Sequence, residues 1–140
     1  MARRGSAERA GLRPPTADDI ERIGRRVLAE LPELFRAHVA NVVIRVEDFP
    51  DEETEREMEL ESPYDLLGLY RGVPVGHASE FGPPRHDVDM IFLYRGPLLN
   101  YWCETGEPLE DIVRNTLIHE IGHHFGYSDE DMDAIEFGED

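Results

Sequence analysis

Lysine is absent from this 140-residue chain: all 14 basic residues are arginine. Against them stand 31 acidic residues, and the formal charge at pH 7 is −17. A chain so short of positive charge is not expected to bind nucleic acid, because phosphate contacts need a basic face. The same deficit disfavours an anionic membrane surface. Cysteine is nearly missing too. The single Cys103 excludes an internal disulfide framework and favours a reducing, cytoplasmic compartment. No apolar run reaches the roughly 18 residues of a membrane span. The opening residues are basic and are followed by no apolar stretch, which does not fit a secretory signal. The acidity is best read as solubility through self-repulsion, with attraction of divalent cations as a weaker reading.

What remains is enough for one domain, because 40% of the residues are apolar. Residues 1–15 carry Arg3, Arg4, Arg9 and Arg13 among glycines and prolines without apolar periodicity. They read as a flexible basic arm preceding a domain over 16–140. Thr16 is a good N-cap for a first helix, and Ile20, Ile23, Val27, Leu28 and Leu31 recur at helical spacing. Strands are expected at Val42–Val46, Leu66–Tyr70 and Val88–Tyr94. Residues 47–62 are strongly acidic and read as a solvated loop; residues 72–87, rich in glycine and proline, read as a long irregular one. A short helical turn is expected between Pro97 and Glu104. The principal helix runs from about Pro108 to Phe125, where Gly126 stops it. A last short helix follows from about Asp129 to Phe137. Cys103, beside Trp102, is expected to be a small buried hydrophobe.

The principal helix carries the chemistry. At about 100° per residue, Leu109, Val113, Leu117, Ile121 and Phe125 form a core stripe. His119 and His123, four residues apart, share another face and can reach one ion. Glu120 lies about 100° round from His119, beside such an ion. That is where a base must stand to take a proton from a metal-activated water. Beyond the turn at Gly126 the next available donor is Asp129. Its carboxylate would complete a site of His119, His123 and Asp129 with an open fourth position, as a catalytic zinc requires. Asp129 has a competing local role, since Ser128 or Asp129 would cap the last helix. Glu136 is an alternative third ligand. His124 points toward the apolar side and is expected to be packed or partly exposed rather than a ligand. His77 and His86 read as plain loop residues, with contact to a substrate as the weaker reading. Gly122, inside the helix, suggests close approach of helix and strand. The segment His119-Glu120-x-x-His123 alone would arise by chance in roughly 3% of chains of this composition, but with Gly126 and Asp129 the figure falls to roughly 0.02–0.03%.

The segment His119-Glu120-x-x-His123-x-x-Gly126-x-x-Asp129 resembles the extended zinc motif of the zincin metallopeptidases in the form that ends in aspartate. With Leu67-Gly68-Leu69-Tyr70-Arg71-Gly72 and Ile91-Phe92-Leu93-Tyr94-Arg95-Gly96-Pro97 ahead of it, the chain is similar to the small bacterial zincin-like metallopeptidases, or minimal zincins. The resemblance implies an α+β fold: a small, mixed, twisted sheet, a backing helix, an active-site helix and a short C-terminal helix. It implies one Zn(2+) per chain on His119, His123 and Asp129, with Glu120 as general base in peptide-bond hydrolysis. The strand Val88–Tyr94 would be the edge strand that pairs with an extended peptide or protein substrate. The competing reading is a degenerate zincin that binds metal or peptide without efficient catalysis. An open sheet edge in so small a chain is also compatible with a homodimer.

Overall fold

A computed structural model describes residues 13–73 and 88–136. The N-terminal arm to residue 12, His77, His86 and Phe137 lie outside the described residues. Helix α1 (Ala17–Glu30) opens on a reciprocal capping box, in which the Thr16 side chain accepts from Asp19 N–H and the Asp19 carboxylate accepts from Thr16 N–H. Two orphan donors of the first turn are thereby satisfied. Just before it, the Pro15 carbonyl accepts from Arg95 Nε at 2.8 Å, so the end of the expected arm is tied to the domain.

A one-turn helix α2 (Glu33–Arg36) and strand β1 (Val43–Glu47) follow. The expected acidic loop contains instead a short helix, α3 (Glu52–Glu57), capped by Asp51 through Thr54 N–H at 2.7 Å. Thr54 is its one buried side chain, which explains why an almost wholly acidic run reads as unstructured. Strand β2 (Gly68–Val73) and strand β3 (Val88–Tyr94) complete the sheet. Helix α4 (Arg95–Thr105) is longer than the turn expected there. Helix α5 (Leu109–Phe125) carries the two histidines, and α6 (Asp129–Glu136) ends the described chain. No described helix is long and apolar enough to cross a membrane.

The sheet is mixed, as expected, with strand order β1-β3-β2: β1 runs parallel to β3, and β2 antiparallel to it. This order corrects the reading of Val88–Tyr94 as the edge strand. Every residue from Val88 to Leu93 is paired with β2, and Met90 to Tyr94 are also paired with β1. Such a strand has no free ladder to offer a peptide. Its apolar run, Met90-Ile91-Phe92-Leu93, suits a central position.

One face of the sheet is the core face. Ile44, Ile91 and Leu93 point into a cluster with Ile20 and Val27 of α1 and with Val113, Leu117 and Ile121 of α5, and all of these are buried. α1 packs on β1 and on α5, and α5 packs on β2, so both long helices lie on one side. Two expected core residues fall elsewhere. Phe125, at the last position of α5, is 36% exposed, while Ile118 is fully buried. Cys103 is exposed; Trp102 is the residue of that pair packed against the core.

Candidate metal centre and active site

The site is built where α5 passes closest to β2. Glycine makes that approach possible, though not the glycine expected. A Cβ at Gly68 would stand 2.8 Å from Thr116 Cγ2 and 2.9 Å from the Phe92 carbonyl, so only glycine fits between helix and strand. Gly122 serves a different contact: a Cβ there would stand 2.2 Å from Met132 Sδ and 2.8 Å from its Cγ. Met132 is fully buried, so α6 is seated on α5 by a methionine pressed onto bare helix backbone. Gly122→Ala must displace it. Overpacking costs about 1–3 kcal/mol, of which the helix preference of alanine recovers up to about 1 kcal/mol. A thermal melt should therefore show the variant destabilised, and an unchanged or higher midpoint would rule out this packing.

The close approach at Gly68 brings a backbone group to Glu120. Tyr70 N–H donates to Glu120 Oε1 at 3.3 Å. In an antiparallel pair alternate residues turn their N–H and C=O away from the partner strand. Leu67 C=O accepts from Tyr94 N–H, which sets that alternation and turns Tyr70 outward, toward the helix. Burial raises the Glu120 carboxyl above the ordinary carboxylate range, opposed by the Tyr70 N–H and by the charges of His123 and His119. A carboxyl whose pKa is raised on folding contributes stability that is complete below its unfolded pKa and is lost as pH rises through the folded value. The melting midpoint of Glu120→Gln should therefore gain on the parent as pH rises through and above the carboxylate range, both measured metal-free in chelator. A gap that is flat or narrows would contradict this.

The His119 and His123 rings stand on the same face of α5, with centroids 6.2 Å apart and planes inclined at 46°. Two imidazoles sharing one zinc at about 2.1 Å have centroids roughly 5–6 Å apart, a separation close to the one here. His123 is exposed and His119 half-buried. His124 stacks on the Tyr70 ring at 3.9 Å and 17° yet remains exposed, consistent with a packed or partly exposed side chain. Tyr70 thus touches α5 twice, through its backbone at Glu120 and through its ring at His124. Its buried hydroxyl lies near the Asp89 carboxylate, and burial, with Asp89 beside it, pushes the phenol's pKa up.

The third ligand depends on the turn after α5. Gly126 takes a left-handed conformation (φ 78°), and Tyr127 N–H closes on the Gly122 carbonyl at 2.8 Å. The chain then enters α6 through its own capping box: Asp131 N–H donates to Ser128 Oγ and Ser128 N–H to Asp131 Oδ2. Ser128 with Asp131 therefore does the capping that had competed for Asp129. The side chains of Asp129 and Glu136 lie outside the described residues. Among the described residues no three His, Cys, Asp or Glu side chains converge on one point. Two imidazoles with a carboxylate to follow are nonetheless a donor set of the type zinc accepts.

Sequence reasoning missed the Tyr70 N–H, the Gly68–Thr116 approach and the seating of Met132. Gly68, an isolated glycine inside an apolar strand, was the available signal for the Gly68–Thr116 approach alone.

Comparison with known proteins agrees with this architecture. The model of the zincin-like metallopeptidase family matches residues 39–139, which include the sheet, α5 and α6. A solved structure of a conserved hypothetical protein from Thermus thermophilus is similar at a TM-score of 0.50 and 26% identity, over 79% of this chain and 94% of that one. No curated protein matches.

Proposed function

The chain belongs to the zincin-like metallopeptidase family, and from that premise we propose that it is a zinc-dependent peptidase with Glu120 as general base. The observation that carries the proposal is the anchoring of Glu120. Its Oε1 is held by an outward N–H of β2, one position along the helix from His119. A solvated surface glutamate would have no such partner.

In this reading His119, His123 and Asp129 hold the ion. When bound, zinc supplies polarisation of the scissile carbonyl and a lowered pKa for the attacking water. Glu120 accepts the water proton on the oxygen not engaged by Tyr70 and delivers it to the leaving amine. β2 replaces β3 as the strand along which an extended peptide would lie, since among the described residues it is the sheet edge beside the site.

Digestion of an unbiased peptide library by the zinc-loaded protein tests the reading. Cleavage that stops in chelator and returns with zinc is the expected result. A library left intact, with zinc bound, would instead make the chain a metal-holding binding module.

A further inference from the structure

A cavity of about 380 Å³ opens beside His119 and Glu120, between α5, α4 and the chain entering β2. We propose that it receives a lysine or arginine side chain of the substrate, with Asp65 as the residue that recognises the positive charge. The inference rests on the peptidase reading and adds a substrate class to it.

The lining residues carry the argument. Leu66, Leu67 and Ile112 provide apolar wall. Asp65, Asn115 and Tyr101 provide a carboxylate, a carboxamide and a phenol, and none of the described residues lining the space is a lysine or arginine. A long basic side chain matches that division, with methylenes against apolar wall and a cationic head on oxygen acceptors. Asp65 is exposed at the mouth of the space and is held there: its Oδ2 accepts from Ser62 N–H at 3.0 Å, within the capping box of the single turn Pro63–Asp65. The other carboxylate oxygen remains for a ligand.

The competing classes fit less well. An apolar side chain would desolvate Asp65 and Asn115 without giving them partners, which is costly. An acidic one would meet the Asp65 carboxylate within the field of a chain of net charge −17. That field favours a cationic substrate at longer range as well.

The test uses blocked peptides identical except for Lys, Arg, Leu or Glu at the position beside the scissile bond. Their binding is measured by calorimetry on zinc-supplemented Glu120→Gln protein. Lys and Arg peptides should bind about tenfold or more tighter than the Leu peptide, the scale of one charge-assisted contact. Asp65→Asn keeps an oxygen for Ser62 N–H while removing the charge, and should cut the Lys-over-Leu ratio about tenfold. Asn115→Asp, which adds a second carboxylate to the wall, should raise that ratio. Equal binding of Lys and Leu peptides, or a ratio indifferent to both substitutions, would overturn the assignment. Turnover of the same peptides by the parent protein separates the two readings. Cleavage without basic preference removes the pocket's role and keeps the peptidase. Asp65-dependent binding without cleavage does the reverse.

Discussion

Replacing Glu120 with glutamine is expected to leave zinc on the chain and to lower peptide turnover by about 10²–10⁴-fold, the usual contribution of a positioned general base. The substitution keeps size and an acceptor oxygen, so the contact with Tyr70 N–H survives. What is lost is the negative oxygen that takes the proton. Zinc content and turnover must be read together. A variant with full zinc and no turnover fits the assignment; one with full zinc and undiminished turnover, contaminants excluded, removes Glu120 from the chemistry.

The second large effect is expected at Asp129. Loss of an outer-sphere partner of a zinc ligand already weakens binding about 10–100-fold, so loss of a ligand should exceed the upper end of that range. Asp129→Ala is accordingly expected to weaken zinc by more than about 100-fold in competition with a chelator. Glu136→Gln should leave affinity unchanged. Because Ser128 and Asp131 form the cap of α6, Asp129→Ala should not unwind that helix. The far-ultraviolet circular dichroism of the zinc-free variant should therefore match the parent. A reversed pattern, with zinc lost in Glu136→Gln and kept in Asp129→Ala, would move the third ligand to the later residue.

Much of this was legible in the residues. Helix α5 could be read closely because three signals of different origin coincide over Leu109–Gly126: an apolar stripe, two histidines a turn apart and a left-handed stop. Thr16 announced α1 equally well, since capping is local chemistry. The strand order was harder. The zincin resemblance made Val88–Tyr94 an edge strand, whereas the unbroken apolar run Met90-Ile91-Phe92-Leu93 has the character of the central strand that β3 is.

Other features had no local signal. That Gly122 faces Met132 rather than a strand depends on where α6 returns. That Tyr70 N–H reaches Glu120, 50 residues away in sequence, depends on the alternation of the β2–β3 ladder. The cavity bounded by Asp65 and Asn115 joins two stretches that nothing in their spacing connects. Phe125 and Cys103 show the limit of helical periodicity: it finds the buried side but not where a helix outruns its neighbours.

The most direct test of the central claim is elemental analysis of protein purified without added metal, alongside His119→Ala and His123→Ala variants. About one zinc per chain in the parent, and its loss in both variants, is the predicted result. A parent that carries no zinc and takes none up at micromolar concentrations, or variants that keep it in full, would contradict the account.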